Sequence, residues 1–254
     1  MDAIYPSLKD RSVFITGGGS GIGAAIVRRF CGQGSKVAFV DIARECSEEL
    51  VAAIEAEDGH TRPLFIECDL RHIGALRAAI QQAAEANGPI TVLVNNAAHD
   101  ERHPFETVTP EYWDDRFAVN LRHQFFAAQA FQPMMKAAGG GSIINFGSVS
   151  WMVGQGGMAA YTAAKSGVLG LTRSLARDFG PDNIRVNSLA PGWIMTQRQI
   201  DLWLTPEGEE ELMRRQCLKR KLHPDDMARI VLFLAADDSG AMTNQSYIAD
   251  GGWV

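Results

Sequence analysis

Six short apolar runs recur along the chain, and segments with helical character separate them. The runs cover residues 13–15, 37–40, 64–66, 91–94, 143–146 and 184–190. Their apolar residues do not alternate with polar ones, which indicates strands buried on both faces, as in a parallel sheet covered by helices. We therefore predict an α/β fold with a Rossmann-type, doubly wound sheet of six or seven parallel strands. The 254 residues, 46% of them hydrophobic, are expected to form a single domain over residues 1–254.

The helical segments carry recognisable end signals. The first predicted helix starts at Gly21 and stops at Gly34, and Pro110 opens another helix one residue after the predicted cap Thr109. Pro224 opens a further one. A region at about residues 193–222 is polar, helical in pattern and too long for a simple connection, so we expect it to have a role of its own.

Charge and hydropathy exclude some classes of partner. The formal charge is -6 and the acidic residues are dispersed, so the chain lacks a basic stripe for a phosphate backbone, and we expect no nucleic acid partner. No stretch of about 18 apolar residues occurs, and no apolar run follows the N-terminus. We therefore expect neither a membrane span nor a signal peptide.

Cysteine and histidine spacing gives a second set of exclusions. The four cysteines form no CxxC pair and are interpreted as reduced thiols of a cytoplasmic protein: Cys31, Cys46, Cys68 and Cys217. Four of the histidines show no ligand spacing for zinc and are interpreted as surface or loop residues: His99, His103, His123 and His223. We expect no metal site.

A glycine-rich turn at residues 16–23 follows the first predicted strand and opens the first predicted helix. In this position backbone N–H groups and the positive helix end can meet the pyrophosphate of a dinucleotide. The spacing is GxxxGxG, which aligns Gly17, Gly21 and Gly23 with the positions where a side chain would block that approach. Taken alone, the turn is also compatible with a flexible loop.

Asp41 makes the dinucleotide interpretation more specific. It ends the second predicted strand, close to the offset of about 20 residues expected for a carboxylate that binds the adenosine ribose. A carboxylate there repels a 2′-phosphate, so we predict NAD as the cofactor and NADP as the less favoured one. Two alternatives stay open: Arg44 is near enough in sequence to accommodate a phosphate, and Asp41 is also compatible with a solvated acid at a strand end.

Tyr161 and Lys165 lie four residues apart, hence on one face of a predicted helix, and Ser148 follows a buried strand. A Tyr-x-x-x-Lys pair alone is a weak signal; together with Ser148, Asn120 and the glycine-rich turn it is strong. A phenol with a pKa near 10 is a poor base at neutral pH, and adjacent positive charge favours its anion. We predict that ionised Tyr161 removes a hydroxyl proton as hydride leaves the same carbon, while Ser148 donates to the oxygen.

These motifs resemble the short-chain dehydrogenase/reductase family, from Ser7 to the C-terminus. The resemblance implies that Asn120 helps to hold a water that links Lys165 to solvent, that Tyr161 and Lys165 also contact the cofactor, and that residues 193–222 form the substrate loop. Asn120 is also compatible with a polar residue that satisfies a helix kink. The resemblance further implies cofactor contacts by Ser20, Ile22, Asp69, Leu70, Asn96, Pro191, Gly192, Ile194 and Thr196.

Several segments resemble the bacterial aldose 1-dehydrogenases of this family, of the D-xylose and D-galactose type: residues 3–8, 100–103, 120–123, 145–148, 205–209 and 216–218. This resemblance implies oxidation of an aldose at its anomeric carbon to an aldonolactone. Residues 100–103 are also compatible with a surface salt-bridge cluster, and the glycines within 153–160 depart from the pattern, which leaves the sugar open. The expected substrate contacts are Ser148, Trp151, Gln155, Tyr161, Trp193 and Gln197.

Two rival interpretations stay open. One is another reaction of the family, such as reduction of a 3-oxoacyl thioester or oxidation of a secondary alcohol; such a pocket would be long and apolar. The other is a dinucleotide sensor without catalysis, which the intact set of catalytic residues disfavours. The resemblance also implies a homotetramer, assembled through long helices at about residues 110–137 and 159–179 and through a C-terminal strand at residues 247–254. That tail is also compatible with packing on its own subunit.

Overall fold

Seven parallel strands form one sheet in the computed structural model of the protein, which describes residues 3–254. The strands are β1 (Ser12–Thr16), β2 (Lys36–Asp41), β3 (Leu64–Glu67), β4 (Val92–Asn95), β5 (Gly141–Phe146), β6 (Ile184–Pro191) and β7 (Ser246–Ala249). Their order is β3-β2-β1-β4-β5-β6-β7. Each of the six predicted runs lies on a strand, shifted by one residue at β4, so the predicted α/β doubly wound fold is confirmed.

Helices cover both faces of the sheet. They are α1 (Gly21–Gly32), α2 (Arg44–Glu55), α3 (Ile73–Asn87), α4 (Pro110–Phe117), α5 (His123–Ala137), α6 (Ala159–Phe179), α7 (Gln197–Trp203), α8 (Pro206–Arg215) and α9 (Pro224–Ala235). The predicted starts at Gly21, Pro110 and Pro224 are confirmed, and the Thr109 side chain caps α4 by accepting from Tyr112 N. The region 193–222 contains α7 and α8, in agreement with its helical pattern.

Alternate residues of each strand enter two separate cores. Val13 and Ile15 of β1 pack on the side of α1 and α9, whereas Phe14 between them packs against Phe131 of α5, with ring centroids 5.2 Å apart. Burial on both faces explains why the strands are continuously apolar.

The order of strand connections reverses between β1 and β4, which pair in parallel. At such a switch point the loops that follow the two strands diverge to opposite faces and leave a crevice at the carboxyl edge. The glycine-rich turn follows β1, and Asn96 follows β4. The fold therefore brings the predicted cofactor residues to the mouth of this crevice.

The predicted long helix over residues 110–137 is interrupted. A π-helical turn, Ala118–Arg122, separates α4 from α5, and Asn120 lies in its middle. The periodicity of apolar residues does not reveal the π-helical turn, because the helix axis continues through it. Single π turns inside helices are often found at functional sites.

The C-terminal strand ends at Ala249 and is therefore shorter than predicted. Gly251 and Gly252 then adopt positive φ angles of 73° and 79°, which turn the chain. Backbone hydrogen bonds from Cys217 and Leu218 hold this turn against the residues that follow α8. The turn at Gly251 and Gly252 therefore contacts residues of the same chain, and the role of residues 247–254 in a tetramer stays a prediction.

The interpretation of the histidines as surface or loop residues is wrong for His123, whereas His103 does lie in the loop after β4 but is buried there. His123, at the start of α5, is fully buried, and its Nε2 lies 3.2 Å from the carbonyl oxygen of Ala97. His103 is also buried and pairs through Nδ1 with the hydroxyl of Tyr112 at 2.9 Å. Both histidines are buried by the packing of α5 and of the segment after β4. The spacing of histidines along the sequence does not reveal that packing.

The buried His123 makes the fold sensitive to acid. Burial, assisted by the charge of Lys165, lowers the pKa of His123 to about 3 from an ordinary 6.5. Below pH 6.5 the unfolded chain takes up a proton that the folded chain refuses until about pH 3, so stability falls as the pH falls. At pH 5 this costs about 2 kcal/mol of unfolding free energy relative to pH 7.

Urea unfolding at pH 7 and pH 5 measures this effect. We expect His123→Gln to show a smaller loss of unfolding free energy between the two pH values than wild type does. His72→Gln is the matched control, because the His72 side chain is 76% exposed. An identical loss in the His123 variant and in wild type would contradict the assignment.

All four cysteines are free thiols, and Cys31 and Cys68 are buried. Over residues 3–254, no helix combines the length and the hydropathy that crossing a bilayer requires.

Candidate active site

A cavity of about 1050 Å³ opens at the carboxyl edge of the sheet. It extends from the glycine-rich turn, past the end of β4, to the segment that contains α7 and α8. Nearly all predicted site residues line it: Gly17, Ser20, Gly21, Ile22, Gly23, Asp41, Asp69, Leu70, Asn96, Ser148, Gln155, Tyr161, Lys165, Pro191, Gly192, Trp193, Ile194, Thr196 and Gln197. Asn120 and Trp151 are predicted residues that do not line it.

The glycine-rich turn is held tightly against the segment after β4. Gly17 and Gly21 have φ angles of 66° and 54°, in the region that favours glycine. The side-chain amide of Asn96 donates to the carbonyl oxygens of Thr16 at 3.1 Å and Gly17 at 2.8 Å. A Cβ on Gly23 would lie 1.8 Å from the Gly17 oxygen. The turn therefore depends on the absence of side chains.

The first turn of α1 suits an anionic group. Ser20 is its N-cap residue but makes no side-chain capping bond, and the first turn contains no acidic residue. N–H groups at a helix start carry partial positive charge and bind phosphates. Because this turn lines the cavity, it is chemically suited to a dinucleotide pyrophosphate.

Asp41 is fixed at the rim of the cavity by two backbone donors. Its Oδ2 accepts from Gly19 N at 2.8 Å and its Oδ1 from Ala43 N at 3.0 Å. The nearby Arg44 forms ion pairs with Glu67 and Glu48. The Arg44 guanidinium, the alternative ligand for a 2′-phosphate, is thus paired with two carboxylates.

Asp69 is engaged by an arginine that sequence reasoning missed. Arg71 donates to Asp69 Oδ2 at 2.7 Å and also reaches Asp115 at 3.2 Å. This hydrogen bond holds the pKa of Asp69 below its usual range. Arg71 lines the cavity beside Leu70, and its guanidinium, like that of Arg44, is paired with two carboxylates.

Tyr161, Lys165 and Ser148 meet at the inner end of the cavity. Ser148 lies two residues beyond β5, and the other two lie on the first turns of α6. Lys165 is 2% exposed, its Nζ donates to the carbonyl oxygen of Phe146 at 2.7 Å, and Nζ lies 5.8 Å from the centroid of the Tyr161 ring. The Tyr161 hydroxyl faces Ser148, whose hydrogen bonding favours the phenolate and so lowers the phenol pKa.

Burial dominates the proton affinities at this end of the cavity. It raises the pKa of Tyr161 above its ordinary range, and the Asp100 carboxylate adds to the effect, while the bond with Ser148 opposes it. Burial also lowers the pKa of Lys165 to about 7. The low-dielectric surroundings thus disfavour both charged forms. The lowering of the phenol pKa by Lys165 together with an oxidised nicotinamide stays a prediction.

Asn120 is fully engaged by backbone groups. Its Oδ1 accepts from His99 N at 2.9 Å, and its Nδ2 donates to the carbonyl oxygens of Arg116 at 2.9 Å and His99 at 3.2 Å. These bonds pair backbone groups next to the π-helical turn and hold that turn against the segment after β4. The contacts match the alternative interpretation, a polar residue that satisfies a helix kink, and the water relay stays a prediction.

The substrate end differs most from the sequence-based expectation. Trp151 lies in a tight turn in which Met152 N and Val153 N both donate to Val149 O, and this turn directs it away from the cavity. Trp203 of α7 lines the cavity instead, with the Arg102 guanidinium 4.3 Å above its ring. Further lining residues that were not predicted as site residues are His99, Asp100, Arg102, Arg116, Gln199 and Trp253.

Residues 100–103 fulfil both interpretations considered for them. Asp100 and Arg102 line the cavity, and Asp100 also forms an ion pair with Arg198 at 3.3 Å. Over residues 3–254, no group of three or more His, Cys, Asp or Glu side chains is arranged to hold a metal ion.

Comparison with known proteins identifies the family. A family profile described as Enoyl-(Acyl carrier protein) reductase matches residues 17–254. A relative from Rhizobium meliloti (strain 1021), named "Probable galactose dehydrogenase", is 52% identical over 98% of this chain and 96% of its own length. D-xylose 1-dehydrogenase from Caulobacter vibrioides is 48% identical over 99% of this chain and 98% of its own length.

A solved structure agrees with these relatives. A double variant of a Serratia marcescens short-chain dehydrogenase/reductase superposes with a TM-score of 0.89 at 33% identity, covering 97% of this chain and 99% of the other. The matching profile, the relatives and the fold thus agree with the Ser148, Tyr161 and Lys165 arrangement at the end of the cavity. The chain belongs to the short-chain dehydrogenase/reductase family.

Proposed function

We propose that the protein is an NAD-dependent aldose 1-dehydrogenase, which oxidises the anomeric carbon of a sugar to an aldonolactone. The observation that carries the proposal is the identity of 52% and 48%, over nearly the whole chain, with relatives named for galactose and D-xylose oxidation. The polar lining of the substrate end supports it, because sugar hydroxyls require hydrogen-bonding partners.

The cavity residues fit a dinucleotide. The uncapped first turn of α1 and the glycines before it would receive the pyrophosphate, and Asp41 would accept from the ribose hydroxyls. Asp69, Leu70 and Asn96 would hold the adenosine side, and Pro191, Gly192, Ile194 and Thr196 the nicotinamide side. When bound, the oxidised nicotinamide supplies a hydride acceptor and a positive charge.

The residues of this chain would handle the proton and the reacting oxygen. Tyr161 Oη accepts the proton of the anomeric hydroxyl, and Ser148 donates a hydrogen bond to the same oxygen. Since burial raises the pKa of Tyr161, positive charge beside it is required for the anion, and Lys165 contributes when protonated. Loss of the proton from the anomeric hydroxyl and of hydride from the anomeric carbon leaves the carbonyl of the lactone.

The sugar would be bound by side chains from two walls. Gln155, Trp193 and Gln197 are the proposed hydroxyl partners beside Ser148 and Tyr161. Trp203 replaces Trp151 as the proposed aromatic wall, because it lines the cavity. Such mixed polar and aromatic linings fix ligand orientation while burying apolar faces.

Asp41 would select NAD. We expect Asp41→Ala to raise the ratio of NADP to NAD efficiency by at least about ten-fold, because the variant removes the repulsion of a 2′-phosphate and a ribose hydroxyl acceptor. Initial rates with each cofactor measure kcat/KM for both. Glu45→Ala is the control, since Glu45 is an exposed acid in the first turn of α2. An unchanged ratio in the Asp41 variant would mean that Asp41 does not contact the ribose.

A sugar panel tests the proposed activity. Purified protein and NAD are mixed with D-xylose, L-arabinose, D-galactose, D-glucose, L-rhamnose or L-fucose, and NADH formation is followed by absorbance. A clear preference for one aldose supports the proposal. Retained NAD binding with no turnover of any sugar would reject it, and secondary alcohols and 3-oxoacyl thioesters would then be tested.

We further infer a cytoplasmic homotetramer. Four free cysteines support a reducing compartment. Exposed apolar side chains on the α4–α5 side and at β7 support subunit contacts there: Trp113, Phe125 and Ile248. Light scattering of the purified protein measures its mass, and a monomer at micromolar concentration would reject the inference.

A further inference from the structure

Asp100 joins two distant segments across the substrate end of the cavity. Its Oδ2 accepts from Gln199 Nε2 at 2.6 Å, and its Oδ1 accepts from Arg198 Nε at 3.3 Å. The segment after β4 and helix α7 are thereby connected, although nearly a hundred residues of chain separate them. The Asp100 side chain is only 22% exposed, so these bonds are partly shielded from water.

The connection continues to the indole of Trp193. Gln199 Oε1 accepts from Trp193 Nε1 at 2.8 Å, so one amide group joins the carboxylate to the indole. The Trp193 ring also lies close to Gly208 of α8, where an added Cβ would be 3.3 Å from it. We call the chain of Asp100, Gln199 and Trp193 the latch. Its three residues all line the cavity.

The geometry points to Asp100 as a positioning and specificity-determining residue, which through Gln199 fixes Trp193 against the substrate. The identity of the substrate in this inference rests on the proposed function. The latch itself does not depend on it. Asp100 has lone pairs beyond the two that it uses, so it is also able to accept from a hydroxyl of the ligand.

A second contact holds the same two segments together. The guanidinium of Arg102 lies 4.3 Å from the ring of Trp203, at the other end of α7. A cation–π contact of this kind contributes roughly 0.5–1 kcal/mol at an exposed site. Because α7 is only seven residues long, these two contacts determine where it lies over the cavity.

Two variants test the latch. Gln199→Leu removes the amide that joins Asp100 to Trp193, whereas Asp100→Asn keeps an oxygen that accepts from Gln199 Nε2. Glu210→Gln is the matched control, because Glu210 is an exposed acid on the neighbouring helix α8 and does not line the cavity. The readouts are KM, kcat and amide hydrogen exchange in α7.

For Gln199→Leu we expect KM to rise about ten-fold, because one or two hydrogen bonds are lost. We expect kcat to stay within about three-fold of wild type. Hydrogen exchange in residues 197–203 should become at least about three-fold faster. For Asp100→Asn we expect smaller changes in KM and in exchange, because an oxygen that accepts from Gln199 is kept. Glu210→Gln should change neither.

Each variant has an outcome that overturns the latch. An unchanged KM and unchanged exchange in α7 for Gln199→Leu would reject the latch. A larger effect of Asp100→Asn than of Gln199→Leu would reject Gln199 as the link between Asp100 and Trp193. The exchange measurement needs no substrate, and KM is measured with whichever alcohol the wild type oxidises, so a failure of the aldose proposal is distinguishable from a failure of the latch.

Discussion

Tyr161→Phe is expected to lower kcat by at least about a thousand-fold while the dissociation constant for NAD stays within about three-fold of wild type. The variant loses only the phenolic oxygen, which is the proposed proton acceptor. The ring, which lies 5.8 Å from Lys165 Nζ, is retained. Turnover is followed by NADH absorbance, and NAD binding by calorimetry.

Tyr247→Phe is the matched control, since Tyr247 lies on β7 and does not line the cavity. Its turnover should equal that of wild type. If the Tyr161 variant kept activity within a few-fold of wild type, the proton acceptor would have to be another group. Loss of NAD binding in that variant would instead mean that the phenolic oxygen is needed to bind the cofactor.

The fold was predictable because each strand carries its own signal. Burial on both faces makes the central residues of strands such as β1 and β5 apolar, and that pattern is visible without knowledge of their neighbours. Features set by tertiary packing were not predictable. The π-helical turn around Asn120 and the turn at Gly251 both depend on contacts with segments far away in sequence.

The position of the proposed cofactor and catalytic residues along one cavity was predictable for a related reason. Glycines near the start of α1, and the pair formed by Tyr161 and Lys165, are close in sequence because one turn or one helix face presents them. Their spacing therefore reports their geometry. Proton affinities did not follow from spacing, because burial is a property of the whole cleft.

The substrate end was the least predictable part of the site. Its walls come from the segment after β4, from α7 and α8 and from the C-terminal tail, so Asp100, Gln199 and Trp253 meet only in the folded chain. Proximity in sequence was misleading for Trp151, three residues after Ser148, because a tight turn directs it away from the cavity. Sequence neighbours of a catalytic residue are thus poor guides to a pocket wall.

Gly23→Ala is the second change with a large expected effect. The new methyl group would lie 1.8 Å from the backbone oxygen of Gly17 and 2.7 Å from Asn96 Nδ2, so the turn has to move. We expect a loss of roughly 1–3 kcal/mol of unfolding free energy, in the range of overpacked sites. We also expect the dissociation constant for NAD to rise at least about ten-fold, because the N–H groups of the turn lose their alignment.

Gly74→Ala distinguishes this steric effect from the general cost of replacing a helical glycine. Gly74 lies in the first turn of α3, and a Cβ there has no neighbour within 4 Å. Alanine at such a site is expected to stabilise the fold by about 0.5 kcal/mol, through the lower entropy of the unfolded chain. Urea unfolding and NAD calorimetry on both variants check the comparison. Equal behaviour of the two would mean that the turn at Gly17 adapts to a side chain, and the close approach of backbone to cofactor would no longer explain the glycine at position 23.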